Sequence, residues 1–391
     1  MKKSLYLTSA LVAASVLALG STDSMAAGKA LKVGVSGSYK AVVGYAKSSS
    51  GFTTSSGVGT ALTSYNTMDV KTDSEVHFKA SGTTDSGMKI GVGIELETDQ
   101  ATTTDIDGTY MTIGGGFGTI MLGSSVHAAA MLAVNAPSAG AVGVFGGDSN
   151  TWVPRPANVS VATTAGANIG GAEHQKIRWN SPSFSGFTAG ASYTPDRSSV
   201  DNAMPANGGN GGTDGSVIDL ALKYSGKMGT NAVSGSVGWW AHDVATAAAN
   251  ASTSTEGLSL GASTTMGAFT LGAGYKEVTT TGKTLSTFNA GPASISGTAN
   301  SLDEEAVNVG VGWIQGKTTL ALNYFRVEMD LATGTEGEDS VTKWTLGAKQ
   351  NIGPGIDFLG TVQNVVWSDE GDGAADNNKG TAFVGGIAVT F

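Results

Sequence analysis

The sequence contains no cysteine, which excludes a disulfide scaffold and cysteine-ligated metals alike. It is also poor in charge: Asp, Glu, Lys and Arg make up only 14% of 391 residues. The formal net charge of −10 argues against a nucleic-acid partner, which would call for a basic surface. Prolines number 8, and all sit in connections or at the rims of alternating segments, where no ladder N–H is required. The 4 histidines are scattered and show no metal-ligand spacing. Beyond the N-terminus no stretch is long and apolar enough to be a membrane-spanning helix. No linker-like shift in composition divides the chain, so one large domain is favoured.

Glycine is abundant, at 58 residues, alongside many Thr, Ser and Ala. That mixture suits tight turns and a polar strand face. Residues 1–26 read as a secretory signal. Lys2 and Lys3 supply the positive start, Leu5 to Leu19 the apolar stretch, and Ser24-Met25-Ala26 a small-x-small cleavage site. The mature chain is then 27–391.

The mature chain alternates with period two, the signal of a strand with two unlike faces. In 31–47, Val33, Val35, Tyr39, Ala41, Val43 and Tyr45 oppose Lys32, Ser36, Ser38 and Lys40. In 70–81, Val76, Phe78 and Ala80 oppose Lys71, Asp73, Glu75, His77 and Lys79, and 88–97 repeats the pattern. About sixteen such segments follow one another, the last at 380–391, an even number within the range of bacterial outer-membrane barrels. The connections alternate short and long. Short ones include GGGFG at 114–118, TMGA at 265–268 and IQGK at 314–317; long ones include 48–69, 127–173 and 279–303. Short turns at one end and long loops at the other are the habit of an up-and-down transmembrane β-barrel. A soluble sandwich has no reason for that asymmetry.

The apolar face would meet lipid. Its aromatics, among them Phe187, Tyr193, Tyr224, Phe269, Trp313, Tyr324 and Trp344, would form interfacial girdles. Turning Lys32 or Lys40 outward would cost about 2–4 kcal/mol at mid-membrane, which fixes the parity. Arg326 breaks it, falling in phase with Leu320, Leu322 and Tyr324. The inner face by parity carries Lys71, Lys176, Asp73, Glu75, Glu95, Glu97 and Asp219 besides the lysines above. Charges on a pore wall tune ion selectivity, although for any one residue simple pairing in a solvated interior is an equal reading.

Residues 127–173 stand apart. They show no sustained alternation and hold Pro137, Pro154 and Pro156. An insert this long is disordered or functional, and this one is too apolar for simple disorder. It is expected to fold into the barrel and narrow it.

Several stretches resemble a known family. KIRWNSPSFSGFTAGASYTP at 176–195 is similar to the hairpin after the constriction loop of general porins of Gram-negative bacteria. GGGFGTIMLGSS at 114–125 resembles the hairpin before it, FGGD at 145–148 the loop's own motif, and Phe391 the terminal aromatic. The resemblance is to porins of the alphaproteobacterial sort. The resemblance implies a sixteen-stranded barrel in the outer membrane, a homotrimer, and passive diffusion of small hydrophilic solutes. It implies lipid and lipopolysaccharide around the barrel, and assembly machinery that reads Phe391. It also implies a constriction in which loop acids face a basic wall. Asp148 matches the motif acid, and Lys40, Lys79, Lys89 and Arg178 are the residues favoured for the wall. Val144 and Ser124 stand where the family often has Glu and Arg, so the transverse field is expected to be weaker or differently placed.

The external loops are acidic, with EGED at 336–339 and DEGDGAAD at 369–376. An acidic mouth concentrates cations within a Debye length of roughly 8 Å, which favours a weak cation preference. Asp369, Glu370 and Asp372 could hold calcium, but their spacing matches no fixed calcium loop, and a solvated acidic loop is the preferred reading. No cofactor is expected. Catalysis has little support: His127 with Ser124 or Ser125 is the one local pair, and nucleophilic chemistry needs both within hydrogen-bond reach. The alternatives to a diffusion porin are a substrate-selective channel on the same barrel and a non-transporting structural barrel or adhesin.

Overall fold

Sixteen antiparallel strands close on themselves in the computed structural model. It describes residues 31–49, 66–98, 105–143, 151–156, 159, 161, 174–195, 215–245, 252–285, 288–290, 293–295, 299–331, 338–369 and 377–391. The expected signal at 1–26, Asp148, and Glu370 and Asp372 lie outside these residues.

The barrel strands are β1 (Lys32–Ser48), β2 (Met68–Thr83), β3 (Lys89–Glu97), β4 (Asp105–Gly115), β5 (Gly118–Ser124), β6 (Gln175–Asn180), β7 (Phe187–Thr194) and β8 (Val217–Met228). They continue with β9 (Asn231–Ala245), β10 (Ser252–Met266), β11 (Phe269–Leu285), β14 (Ala299–Gln315), β15 (Thr318–Leu331), β16 (Glu338–Gly353), β17 (Ile356–Ser368) and β18 (Asn378–Thr390). Two short strands, β12 (Phe288–Ala290) and β13 (Ala293–Ile295), pair with each other apart from the barrel. A short helix, α1 (Ala128–Leu132), follows β5.

Each expected segment is a strand, with ends shifted by a few residues. The largest difference is at 279–303, expected as a loop. There β11 and β14 continue upward as paired strands, with a register shift between Thr281 and Leu285, and β12 and β13 form a hairpin between them. A ladder above the lipid needs no apolar face, so the run Thr279-Thr280-Thr281 carries no alternation to read.

Closure is made by β18, which pairs with both β17 and β1. The seam ends where Gly37 and Phe391 exchange backbone hydrogen bonds of 2.8 and 3.0 Å. A closed ladder satisfies every strand internally, which a lipid environment demands. The short connections turn on glycine. Gly267 (φ 60°) and Gly316 (φ 58°) take the first position of two-residue loops, where the right-handed strand twist calls for positive φ.

The faces divide as the alternation requires. On β1, Val33, Val35, Tyr39, Val43 and Tyr45 are exposed outward. Between them Lys40 reaches inward to Asp73 of β2 at 2.8 Å. Near the short turns Phe187 and Tyr224 pack with ring centroids 4.9 Å apart, and further up the wall Tyr324 and Trp344 do the same. Arg326, the exception to parity, does lie on the outer face. It pairs with Glu328 of the same strand, just beyond the Tyr324–Trp344 contact. An aromatic pair followed by an ion pair marks the boundary where lipid gives way to water.

Candidate functional site: the barrel lumen

The lumen is occupied by the segment that leaves β5. Its root is held by polar groups of the wall. Asp219 of β8, fully buried, accepts the N–H of Ala129 at 2.7 Å and lies 3.3 Å from Nδ1 of His127. Ser192 of β7 accepts the N–H of Ala128 at 3.1 Å and donates to Asp219. Together they cap the first N–H groups of α1, which the five-residue helix cannot satisfy itself. The carbonyl of Val126 accepts from Arg178, and those of Ser125 and His174 accept from Lys176.

From this root the chain travels along the inner wall rather than across the lumen. Val134 donates to Ser236 of β9 at 2.8 Å, and Ala136 to Asn308 of β14 at 2.8 Å. Ala141 and Val142 donate to the Thr361 hydroxyl of β17 at 2.8 and 3.2 Å. The Lys343 ammonium of β16 donates to the carbonyl of Gly143 at 2.5 Å. The backbone approaches so closely because the wall lacks side chains there. A Cβ at Gly261 of β10 would overlap the Val134 carbonyl, and one at Gly347 of β16 the Ala139 carbonyl.

Residues 151–156, 159 and 161 take a second line across the wall. Trp152 lies against Gly44 of β1, with Lys71 of β2 5.1 Å from its ring centroid, a cation–π distance. Trp367 of β17 donates to the carbonyl of Val153 at 3.0 Å, and Asn378 of β18 to that of Pro154 at 2.6 Å. Val153, Val159 and Val161 pack on Ala306, Phe325, Val327, Met329, Val341, Val365 and Trp367. These wall residues are inward-facing and apolar, against the expectation of a polar inner face. The valines cover them from inside the barrel.

The two sides of the lumen therefore differ. From β8 to β18 inward side chains such as Trp240, Lys276, Asn308, Asn323, Lys343 and Gln363 are buried. On β2 and β3 the inward groups stay half-buried: the side chains of Glu75, His77 and Glu95 are 22, 21 and 24% exposed. Lys40 and Asp73 continue this arc at 19 and 15%.

The four basic residues expected on the wall do not form one cluster. Lys40 is paired with Asp73. Lys79, exposed, shares its open arc. Lys89 opposes Thr83 and Gly114 at the turn-bearing rim. Arg178 is buried against the root of the loop. His127, paired in the sequence with Ser124 and Ser125, meets Asp219. A covered ion pair that sequence reading passed over joins Lys276 and Glu304 on diagonal positions of β11 and β14, Lys276 being opposite Ala306 and Glu304 opposite Val278. Both obey the inward parity, which was the signal available for them.

A family model described as Gram-negative porin matches residues 8–369. The chain belongs to the Gram-negative porin family. This porin is similar in fold to an anion-selective porin from Comamonas acidovorans, with TM-score 0.64 and 17% identity over 92% of this chain and 100% of that one. The outer membrane channel DcaP of Acinetobacter baumannii gives TM-score 0.61 and 14% identity over 93% and 98%. OmpT of Vibrio cholerae in its trimer form gives 0.61 and 12% over 93% and 100%. Such identities show the fold alone. No curated protein matches the chain. Family membership and the closed sixteen-stranded barrel make this porin an outer-membrane channel through which small solutes diffuse.

Proposed function

We propose that the porin works as a homotrimer of off-centre diffusion pores. In each pore, ions and small hydrophilic solutes follow the inner faces of β1 to β5. The observation that carries the pore path is the contrast in burial: the loop covers the wall from β8 to β18, while Lys40, Asp73, Glu75, His77, Lys79 and Glu95 keep contact with water. Lys40 and Lys79 supply the basic groups of that path, Lys89 its inner rim, and Arg178 the seat of the loop. The trimer is supported by the family resemblance and by the trimer form of the V. cholerae neighbour. Lipid and lipopolysaccharide are the surroundings read for the outer face. Phe391, exposed in the folded chain, is the residue read for the assembly machinery.

Reconstitution into planar lipid bilayers tests this reading. Current steps are expected in groups of three, with a reversal potential of the cation sign in a KCl gradient. Protein that stays silent at every voltage contradicts the channel. Single unitary steps contradict the trimer, and an anion-sign potential contradicts the weak cation preference.

A further inference from the structure

The open arc holds one imidazole placed to govern its charge. His77 sits on β2 opposite Ser36 of β1 and Glu95 of β3. Its Nε2 is 2.9 Å from Glu75 Oε2, and its Nδ1 stands 3.4 Å from Glu95 Oε1. A neutral imidazole has one N–H and can serve only one of these carboxylates; the imidazolium serves both. Glu95 is held in turn by the Tyr110 hydroxyl of β4 at 3.1 Å.

The surrounding charges are these. Lys79 follows His77 on its own strand, and Glu97 opposes Glu75 across β3. The Lys40–Asp73 pair lies one step beyond Glu75 toward the loops. Arg178 lies on β6, opposite Met121 of β5. Carboxylates thus predominate around His77, whose ring is positive only while both of its nitrogens carry a proton. In a narrow aqueous path a wall charge acts on permeating ions within roughly 8 Å at physiological salt. Removing one positive charge from this arc leaves a more negative wall, which favours cations.

We propose that His77, clasped between Glu75 and Glu95 on the open arc, is the residue that sets the ion selectivity of this pore, according to whether it carries a proton. The proposal rests on the off-centre diffusion path above. It predicts no closure of the channel, only a change in which ions pass.

The test is reversal potential in a KCl gradient across bilayers, followed over pH for three proteins. Wild type is expected to move toward potassium selectivity as pH rises. His77→Gln is expected to be locked near the high-pH wild-type value, and His77→Arg near the low-pH value, neither moving over that range. Should His77→Gln not insert, the His77→Arg profile decides alone. Conducting channels whose pH shift survives either substitution, or wild type that moves toward chloride as pH rises, overturn the role of His77. Wild type that conducts at no pH overturns the diffusion reading instead, so the two failures are distinguishable.

Discussion

Gly261→Leu is expected to lower single-channel conductance while the barrel still assembles. The Cβ alone would overlap the Val134 carbonyl, and the remaining carbons extend into the same contact. Overpacking of this kind costs roughly 1–3 kcal/mol. Either the barrel or the loop must give. The barrel is a closed ladder whose hydrogen bonds form together. The loop is held at this point by single bonds such as Val134 to Ser236, each worth about 0.5–1.5 kcal/mol net. The loop therefore moves. Its root is fixed at Asp219 and its later part at Trp367 and Asn378, so the freed stretch can only bow into the lumen, toward the open arc. Gly347→Leu should act alike at Ala139. Gly235→Leu is the control. It lies on the outer face of neighbouring β9, where a Cβ meets nothing closer than 3.7 Å, and conductance should be unchanged. Conductance equal in all three variants would show that the loop does not lean on these glycines.

The second large effect concerns the outer face. Met111 of β4 is exposed beside Val92 and Leu122, which are exposed too. Its neighbour Thr112 faces the lumen, opposite Gly91 and Met121. Arginine at Met111 places a guanidinium in hydrocarbon, at a cost of about 2–4 kcal/mol near the membrane midplane. Arginine at Thr112 meets water and should cost distinctly less. Reversible urea unfolding in lipid vesicles would read the difference as a lower midpoint for Met111→Arg than for Thr112→Arg. Equal midpoints, or the reverse order, would place the lipid on the wrong side of β4.

Parity made the barrel legible. Every hairpin meets lipid on one face and water or loop on the other, so Val76 and His77 declare opposite sides without any tertiary information. Parity tells which way a side chain points, however, and not what stands before it. Arg178 faces inward as expected, yet the loop root covers it. Phe325, Val327 and Met329 face inward as well, and being apolar they contradict a simple polar lumen. In NYFRVEMDL at 323–331 the inward positions are the apolar ones, while Arg326, Glu328 and Asp330 point outward, and that reversal could have announced that something packs inside. What no local pattern could supply is the partner. Val153, Val159 and Val161 come from about 170 residues earlier in the chain, and their segment has no period to read. The glycines that seat the loop are equally silent in sequence, because glycine is common everywhere in this chain. Only the register aligns Gly261 with Gly274, and Gly347 with Thr361, as inward positions of adjacent strands.

Because the chain has no cysteine, any introduced thiol is the only one. Single cysteines at Val76, His77, Phe78, Lys79 and Ala80 of β2, treated in open channels with a charged, water-soluble thiol reagent, test the division of faces directly. Current should fall for the His77 and Lys79 variants and hold for Val76, Phe78 and Ala80. Block at the three even positions, or at all five, would contradict a wall with water on one side and lipid on the other.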